Sequence, residues 1–485
     1  MTHSHTAWTY RRNNEKTKYT FNEIEHLIFT AVCQAAAAAT KKILENIDAE
    51  LARTRDKKLL RDKGRRKTTV KTVYGEVEYK RHIYKNTRTG EIVYLLDENL
   101  IIKKTGLLSE NLTEKLICAA SEISYRQASR LISEISGQSI SHTAVWKAIN
   151  DIGTRLTEEQ AALRIEDGAS DKKKDRNVIF EEMDGVWVPM QDHNHKKTPK
   201  QEIKVATLHD GWDADNPQKL KNRTLIAAIE PACAFCRRKE AVLSTLYNTD
   251  EIRYRILNGD GGAWIKDSAA GTVFQLDRFH VLRAITANIR DKKARRAITD
   301  LYKKGRHAEM LEYIKIYSDS VATNDPADDR SRKALELYNY LYNNLDGLKP
   351  WQQQLEGKIP APPAGIIYKN GGCQESQNCT LITMRMKHRR MRWSERGANA
   401  LLMLMCCIKN KILSKVLHNG IRQTEQAPDT GQPKAVLSAT KVRTGTQGRE
   451  DIYADLYKST VPLLGAALSN KASGALRGII NNIRL

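Results

Sequence analysis

Three apolar segments of this 485-residue chain carry acidic residues within them or at their ends, and this pattern constrains the fold more than any other feature. Asp184 lies inside one apolar segment, Asp260 closely follows Tyr254–Leu257, and Asp277 follows Val273–Leu276. An acid buried in a strand without a partner costs several kcal/mol, so it needs a metal ion, a hydrogen-bond network or water. Ligands bind at the carboxyl ends of strands in open α/β sheets. The pattern therefore predicts an α/β domain with a functional site at these strand ends.

Each of these acids also has an ordinary structural interpretation. Asp184 precedes a glycine and fits the acid of a turn. Asp260 lies in the glycine-rich stretch Asn258–Gly262, which is typical of a turn but also lets a backbone or a phosphate approach closely. His280 follows Asp277 by three residues, so both can face one cleft of a helix. For His280 alone, a buried structural histidine is the simpler interpretation.

The acids predict a site for hard divalent cations rather than for zinc. Two carboxylates on neighbouring strands and a third on a later helix form a recurrent cage for two Mg²⁺ ions about 3.5–4 Å apart. Mg²⁺ prefers carboxylates, water and phosphate oxygens, and Mn²⁺ is its expected substitute. Cys233 and Cys236 form a single CxxC without a second pair, which favours a structural role. The stretch Asp192–His195 offers metal-binding side chains, but the polar tip of a hairpin explains it more simply.

The charge of the chain predicts a polyanionic partner. Lys and Arg number 80 against 57 Asp and Glu, for a formal net charge of +23 and a pI near 9.5. Such an excess favours nucleic acid, although a generic basic soluble protein is the alternative on charge alone. Residues 21–52 show helical spacing of apolar positions, and residues 53–71 then hold ten basic and two acidic side chains. From Thr68 the period changes to two, which predicts a basic β-hairpin.

A helix-turn-helix pattern follows in residues 106–156. One helix is predicted at about 125–135, Gly137 breaks it, and Ser141 is a candidate N-cap for a second helix over 142–155. A recognition helix contacts base edges with its first turns. Here those positions are His142, Thr143, Trp146 and Lys147. A plain helical hairpin is the alternative, and the basic context favours DNA binding.

The second half of the chain contains a long helical block and a basic run. Residues 281–356 show a helical pattern, and a glycine pair at 371–372 then precedes Glu375. The basic run after Glu375 consists of Arg385, Lys387, His388, Arg389, Arg390, Arg392 and Arg396. A run with only one interleaved acid, Glu395, predicts contact with a phosphodiester backbone. Its binding should fall with salt by about one log unit of affinity per log unit of salt for each phosphate contact.

The composition excludes several other classes of protein. An apolar fraction of 40% and a mean hydropathy of −0.56 exclude disorder as the main state and argue against an integral membrane protein. The most apolar early run, Leu27–Ala39, has 13 residues, whereas a membrane span needs about 20. Met1–Lys16 is polar and predicts no secretory signal, and eight cysteines predict no disulfide framework. We therefore expect a cytoplasmic protein with no membrane partner.

The motifs, taken together and in order, resemble those of DDE transposases of the mutator-like superclass. Within it they resemble the ISLre-type insertion-sequence transposases of bacteria. The resemblance covers most of residues 40–410 and rests on the blocks EMDGVWV, NGDGGAWIK, LDRFHV and CQESQN with the later RMKHRRMRWSERGANALL, preceded by TVYGEVEYKRHIY and VYLLDENL.

The resemblance implies an α/β catalytic core of RNase H-like type with a helical insertion, preceded by helical and small β regions that bind DNA. It implies Asp184 as the first metal-binding acid, Asp260 as the second, and Asp277 with His280 as a D-x-x-H motif. The third acid stands at a helix start after the insertion, which favours Glu375, with Glu395 as the alternative. The Cys-Gln pair before Glu375 departs from the small or β-branched residues that are commoner there.

The sequence as a whole predicts seven regions. In chain order they are an N-terminal helical region (1–60), a basic β-hairpin region (61–105), a helix-turn-helix-like DNA-binding region (106–170), the first part of the catalytic core (171–290), the helical insertion (291–365), the last part of the core (366–420), and a flexible linker with a C-terminal helix (421–485).

Three functions are compatible with these features. The first is a DNA transposase that binds the ends of its insertion sequence, cuts with Mg²⁺ and transfers the freed 3′-hydroxyl without a covalent enzyme intermediate. Pairing two DNA ends implies a homodimer or a higher oligomer, and DNA as substrate implies association with the bacterial nucleoid. The second is a helix-turn-helix regulator that does not cut DNA, and the third is another RNase H-like nuclease. The acids at strand ends argue against the regulator, and a strand-transfer product separates the transposase from other nucleases.

Overall fold

The computed structural model describes residues 20–100, 107–162, 173–268, 271–324, 329–388 and 390–417. The chain divides into two compact units. One unit is Met1–Leu116 with Ser129–Ser141 and Leu417–Leu485, and the other is Ile117–Ala128 with His142–Val416. The predicted linker and C-terminal helix, and Arg389 of the basic run, lie outside the described residues.

The first part of the chain builds a small sheet covered by a long helix. Its elements are α1 (Phe21–Thr54), β1 (Leu60–Thr72), β2 (Gly75–Asn86), β3 (Ile92–Val93), α2 (Leu95–Asn99), α3 (Glu110–Glu122) and α4 (Tyr125–Ser136). A reciprocal capping box between Thr20 and Glu23 starts α1. The second half of α1 packs on the sheet through a core that contains Ile47, Val77 and Tyr79.

The predicted hairpin is present but longer than the sequence pattern indicated. β1 and β2 pair antiparallel, with Val70 opposite Val77 and the turn closing at Gly75. The first strand begins at Leu60 rather than Thr68, so the basic residues at 61–67 lie on a strand. Apolar alternation was too weak there to reveal the strand, because its first half is exposed on both faces.

One described helix meets a length-and-composition criterion for a membrane span. Within the described part of the chain, α1 contains an 18-residue window of mean hydropathy 1.3, and none of that window is buried. The amino-terminal apolar residues of α1 are exposed, whereas Ile47 near its other end is buried against the sheet. This window has 18 residues, more than the 13-residue run found in the sequence.

The second unit is a mixed α/β domain. Its elements are α5 (His142–Ala162), β4 (Val178–Gln191), β5 (Lys197–His209), β6 (Trp212–Asp213), β7 (Thr224–Ala228), α6 (Ala232–Leu246), β8 (Tyr254–Gly259), α7 (Ala263–Asp267), β9 (Val273–Leu276), α8 (Arg278–Asn288), α9 (Lys292–Lys303), α10 (His307–Asn324), α11 (Asp329–Tyr342), α12 (Trp351–Gln354), β10 (Ile366–Ile367), α13 (Gln374–Asn378), a π-helix (Cys379–Lys387) and α14 (Glu395–Lys409).

The central sheet has the strand order β7-β5-β4-β8-β9. β4 pairs antiparallel with β5 and parallel with β8, and β8 pairs parallel with β9. The first seven residues of β4 are all buried, as expected for a central strand covered on both faces. One face packs against α6 through Phe235 and Leu243. The sheet thus brings the carboxyl ends of the parallel strands β8 and β9 beside the middle of β4.

Two helical features support this sheet. The helices α8–α11 share one core with β9, and α9–α11 lie within the predicted insertion, 291–365. Tyr340 of α11 donates its hydroxyl to the carbonyl oxygen of Asp260 at 2.9 Å, so the block contacts the end of β8. On the other side α5 packs against α14, where a side chain at Gly153 would come within 2.3 Å of the Ala400 carbonyl oxygen. The helix predicted to recognise DNA is therefore anchored in the same unit as the sheet.

Candidate metal-binding active site

The strand register places the first two predicted acids side by side. Met183 of β4 and Gly259 of β8 are partners in the parallel ladder, and Asp184 and Asp260 are the next residues along each strand. Neighbouring strands lie about 4.8 Å apart. The two carboxylates therefore arise from adjacent backbone positions, although 75 residues lie between them in the sequence.

Asp184 is buried and hydrogen-bonded on both carboxylate oxygens. Asp184 is 6% exposed to solvent. Oδ2 accepts a hydrogen bond from Nδ2 of Asn378 at 2.5 Å, and Oδ1 accepts one from the backbone N–H of Gly185 at 2.7 Å. Nε2 of His280 lies 3.6 Å from Oδ2. The acid that the sequence placed inside an apolar strand is thus tolerated through a polar network.

Glu375 lies with Asp184 and His280. One ligand atom from each of these three side chains lies within 4.8 Å of the other two. Glu375 is exposed on α13, whereas Asp184 is buried below it. The alternative third acid, Glu395, is the first residue of α14, where Oε2 accepts a hydrogen bond from Gln201 at 3.3 Å. The geometry brings Glu375 to Asp184.

The charges in this cluster raise two pKa values. Burial raises the pKa of Asp260, and the negative charges of Asp184 and Glu202 raise it further. Burial lowers the pKa of His280, but hydrogen bonding to Asp184 and the charges of Asp184, Asp277 and Asp260 outweigh it, so the pKa lies above its ordinary value. Both shifts reflect negative charge crowded into a partly buried site, which a cation would relieve.

Asp277 starts the helix that carries His280. It is the N-cap of α8, and Oδ1 accepts a hydrogen bond from the backbone N–H of Phe279 at 2.7 Å. Oδ2 accepts one from Nδ2 of Asn258 at 2.9 Å, and burial raises the pKa of Asp277. Asp277 thus bonds both the first turn of α8 and Asn258 of β8, and in this way it positions the helix that carries His280.

Two polar residues of α13 that the sequence analysis missed connect the cluster to β5. The hydroxyl of Thr207 donates to Oε1 of Gln374 at 2.7 Å. Nε2 of Gln374 donates to Oδ1 of Asn378 at 2.9 Å, and Asn378 donates to Asp184. Gln374 and Asn378 are four residues apart and form the buried face of the helix that exposes Glu375. That helical spacing was the available signal in the sequence.

Glu182 is a third missed residue, two positions before Asp184 on the same face of β4. It is 1% exposed, and Oε2 accepts hydrogen bonds from the backbone N–H groups of Gly372, Cys373 and Gln374 at 2.9–3.1 Å. Burial raises its pKa, but these donors and His209 bring it below the ordinary value. Gly372, at φ +134°, provides the backbone conformation for this loop. Glu182 thereby fixes the loop that leads into Glu375.

Glu202 is a further carboxylate near the cluster. Oε1 accepts a hydrogen bond from Nε1 of Trp264 at 3.3 Å, and Oε2 lies 3.3 Å from the Lys204 ammonium. The carboxylate occupies the space where a side chain at Gly185 would stand, since an added Cβ would lie 2.0 Å from Oε1. The glycine after Asp184 lies within β4 and not in a turn, so the turn interpretation of Asp184 is wrong. The missing side chain of Gly185 leaves room for a neighbouring acid.

The predicted DNA contacts divide into exposed and buried residues. The first turns of α5 expose His142, Thr143, Trp146 and Lys147. In the later basic run the structure exposes Lys387, Arg390 and Arg392. Arg389 lies outside the described residues. In the described residues the basic run begins in the π-helix that ends at Lys387, continues through non-helical residues at 388 and 390–394, and ends in α14 with Arg396.

The prediction that Arg385 contacts DNA is wrong, because its side chain is buried. Arg385 is 3% exposed, and Nε donates to the carbonyl oxygen of Ala120 at 2.7 Å. Its guanidinium lies 5.4 Å from the ring centroid of Tyr125 and 5.0 Å from that of Trp393. Charge counting does not distinguish such a packed arginine from a solvent-exposed one.

The two weaker metal-site candidates lie at the ends of secondary-structure elements. Cys233 and Cys236 are free thiols at the start of α6. Oδ1 of Asp192 accepts backbone hydrogen bonds from Asn194 at 2.9 Å and from Lys196 at 2.8 Å. Asp192 thus closes the hairpin between β4 and β5, as the simpler interpretation of that stretch predicted.

Comparison with other proteins identifies relatives along most of the chain. The sequence model of the Uncharacterised protein family (UPF0236) matches residues 14–422. A UPF0236 protein of Caldanaerobacter subterraneus subsp. tengcongensis, whose name carries eleven gene designations, is 27% identical over 386 residues, 77% of this chain and 74% of the relative. A second protein of that organism, with four designations, is 25% identical over 383 residues, 77% of this chain and 74% of its own length. A UPF0236 protein of Streptococcus gallolyticus, described as lying in the vanSb 3′ region, is 24% identical over 418 residues, 83% and 86% of the two chains.

Proposed function

The chain belongs to the uncharacterised protein family UPF0236, and we propose that it is a DNA transposase of the ISLre type. It binds the ends of its insertion sequence, hydrolyses a phosphodiester bond with the help of Mg²⁺, and joins the freed 3′-hydroxyl to target DNA. The convergence of Asp184, His280 and Glu375 within 4.8 Å carries this proposal. A regulator that only binds DNA does not need this cluster. Nor does it need a further acid, Asp260, at the backbone position next to Asp184.

The topology of the second unit supports an RNase H-like core. Three antiparallel strands, β4, β5 and β7, precede the two strands β8 and β9 that extend the sheet in parallel from β4. The first acid lies in the first strand, the second follows β8, and the third lies on a helix after the helical block α9–α11. This is the order of acids that the resemblance to mutator-like enzymes implies.

The donor set of the site fits Mg²⁺. Asp184, Asp260 and Glu375 would hold the ion or ions through carboxylate oxygens, the donors that this hard cation prefers. When bound, such ions activate an attacking water or hydroxyl and stabilise the leaving oxygen. The protein itself contributes the orientation of the carboxylates: Asn378 holds Asp184 and the loop bound by Glu182 holds Glu375. His280 lies beside Asp184, with Nε2 3.6 Å from Oδ2, and could donate a hydrogen bond to a phosphate oxygen.

The names of two relatives support a mobile element. One name carries eleven gene designations of a single organism and another carries four. Read as gene copies, these designations are what an element that multiplies within a genome produces. Neither a regulator nor a housekeeping nuclease predicts such a number of copies.

The distribution of exposed charge supports DNA as the substrate. The net charge of the chain is +23. Exposed basic residues lie at 61–67 on β1, and the exposed Lys387, Arg390 and Arg392 lie in the unit that contains the central sheet. Exposed His142, Thr143, Trp146 and Lys147 offer polar and aromatic groups to base edges. We further propose that the enzyme acts in the bacterial cytoplasm, associated with the nucleoid. It acts as a homodimer or higher oligomer, because two element ends must be joined.

The test uses the full-length protein and a DNA fragment that carries both ends of the insertion sequence around its gene. With Mg²⁺ we expect cleavage that leaves a 3′-hydroxyl, followed by a joined product with a second DNA molecule. Asp260→Asn should reduce the cleavage rate by about 100-fold or more, since it removes a metal-binding charge. Asp250→Asn, at an exposed acid outside the site, should cleave like the unaltered protein.

Each alternative function predicts a different result. Cleavage without a divalent ion, or full activity after Asp260→Asn, contradicts the proposed mechanism. Cleavage without any joined product identifies a nuclease of another kind. Specific binding to the ends without cleavage under any divalent ion identifies a regulator.

A further inference from the structure

A second cluster of metal-binding side chains lies behind the acidic site and contains different donor atoms. Glu182 of β4, His209 at the end of β5 and Cys373 before α13 each offer one ligand atom, and these atoms lie within 4.8 Å of one another. Glu182 and His209 are 1% and 0% exposed. We propose that these three residues bind one structural Zn²⁺ ion, which joins the sheet to the loop that carries Glu375.

Among the residues that the structure describes, the buried Nε2 of His209 has no hydrogen-bond partner. It lies 3.6 Å from Oε1 of Glu182. Such an atom costs free energy unless something completes its coordination. The imidazole cannot turn away easily, because its ring stacks on Phe180 at a centroid distance of 5.3 Å and meets the edge of Trp212 at 4.9 Å.

The other ring nitrogen of His209, Nδ1, contacts the backbone of Gly211. Nδ1 of His209 lies 3.2 Å from both the backbone nitrogen and the carbonyl oxygen of Gly211. In the tautomer that donates to the carbonyl, the Nε2 lone pair is free and directed into the cluster. Metal-binding histidines usually donate their other N–H group to a carbonyl or a carboxylate in this way.

The distances between ligand atoms in this cluster can be compared with those of a zinc site. Sγ of Cys373 lies 3.0 Å from Oε1 of Glu182, and Nε2 of His209 lies 3.6 Å from the same oxygen. The bond lengths of tetrahedral Zn²⁺ require ligand atoms about 3.3–3.6 Å apart. The nitrogen–oxygen pair lies close to this range, and the sulfur–oxygen pair must open by about half an ångström to bind zinc.

The donor set selects zinc over magnesium. A thiolate and an imidazole suit Zn²⁺, whereas Mg²⁺ requires oxygen ligands. The Glu182 oxygen that faces the cluster is Oε1, while Oε2 already accepts three backbone N–H groups. Binding forms bonds from zinc to sulfur, nitrogen and oxygen, and the proton of the Cys373 thiol leaves to solvent. The zinc ion would support the loop of the acidic site, and its binding does not depend on the proposed reaction.

The experiment uses Co²⁺ as a spectroscopic probe. Full-length protein is stripped of metal with a chelator, supplied with excess Mg²⁺ to occupy the carboxylate site, and titrated with Co²⁺. We expect one equivalent to bind with a thiolate-to-cobalt charge-transfer absorption band, and Zn²⁺ to displace it. Cys373→Ser should lose the band, and His209→Gln should weaken Co²⁺ binding by about 10-fold or more.

Two matched controls separate this site from its surroundings. Cys379→Ser changes an exposed cysteine six residues further along and should keep the band, as should Cys233→Ser on α6. Glu375→Gln should also keep it, because Glu375 belongs to the acidic cluster. Circular dichroism and thermal unfolding check that each variant is folded. A folded unaltered protein without the band, or a band that survives Cys373→Ser, overturns the proposal.

Discussion

Asn378 donates a hydrogen bond from Nδ2 to Oδ2 of Asp184 at 2.5 Å, although 194 positions separate the two residues in the chain. The donor lies on α13, three residues after Glu375, and the acceptor lies in the central strand β4. One short helix therefore supplies a candidate metal ligand on its exposed face and orients another ligand from its buried face. The following predictions test what this arrangement does.

Asn378→Ala should weaken the response to Mg²⁺. Without the amide donor the Asp184 carboxylate can rotate, and loss of such a supporting contact typically costs about 10–100-fold in metal affinity or activity. The measurement is the Mg²⁺ dependence of DNA cleavage, together with the rise in Tm that Mg²⁺ causes. Thr380→Ala, at an exposed residue two positions on, is the control and should respond normally. A normal Mg²⁺ response in Asn378→Ala contradicts a supporting role.

Glu375→Gln and Glu395→Gln should differ in activity. Glu375 approaches Asp184 and His280, whereas Glu395 bonds Gln201. We expect cleavage to fall about 100-fold or more in the first variant and to change less than a few-fold in the second. Initial cleavage rates at saturating Mg²⁺ provide the comparison. The reverse pattern would assign the third acid to Glu395.

His280 should make stability depend on pH. Because its pKa is raised in the folded protein, its stabilising contribution is fully present below the ordinary value of about 6.5 and is lost as pH rises through the folded value. Urea unfolding in EDTA should therefore show a difference between the unaltered protein and His280→Gln that shrinks with rising pH. His193→Gln, at the exposed hairpin tip, should show no such trend. A difference that grows with pH is incompatible with the raised pKa.

Asp260→Asn should stabilise the metal-free protein at pH 7. The raised pKa means that the carboxylate favours folding while protonated at low pH and disfavours it once pH exceeds the folded value. Removing the charge should raise the Tm in EDTA, by about 2–4 °C for each kcal/mol relieved. Mg²⁺ should then raise the Tm of the unaltered protein more than that of the variant. A lower Tm in EDTA for Asp260→Asn would show that the charge is well accommodated without metal.

Arg385→Ala and Arg392→Ala should separate packing from DNA binding. Arg385 is buried between two aromatic rings and bonds Ala120, so its loss should cost about 2–4 kcal/mol of unfolding free energy. Arg392 is exposed, so stability should change by about 0.5 kcal/mol or less. Its loss should instead reduce the slope of log affinity against log salt by about one. An unchanged salt slope would remove Arg392 from the DNA contacts.

Much of the local structure could be predicted from the sequence, because it depends on neighbours in the chain. The helical spacing of residues 21–52 and the glycine break at 137 correspond to α1 and to the turn between α4 and α5. The acids at 184, 260 and 277 were recognised because each stands out within or beside an apolar run. The start of β1 at Leu60 was missed, since a strand exposed on both faces has no apolar alternation to detect.

The side chains that support the site could not be predicted in the same way. Glu182 is one of two adjacent acids, and only the loop at 372–374 gives it three N–H donors. Its neighbour Glu181 instead bonds the buried ammonium of Lys239 on α6. Strand alternation sends the two side chains to opposite faces, but it does not say which face meets which partner.

The sequence by itself determined the types of the main elements, the excess of positive charge and the identity of the acids within or just after the apolar strands, since all three are local or compositional properties. Only the tertiary structure decided that Glu375 rather than Glu395 approaches Asp184, that Arg385 is buried, and that His209 meets Glu182 and Cys373. These facts depend on packing between segments that are far apart in the chain. Spacing along a chain carries no information about such contacts until the strands have paired and the helices have packed against them.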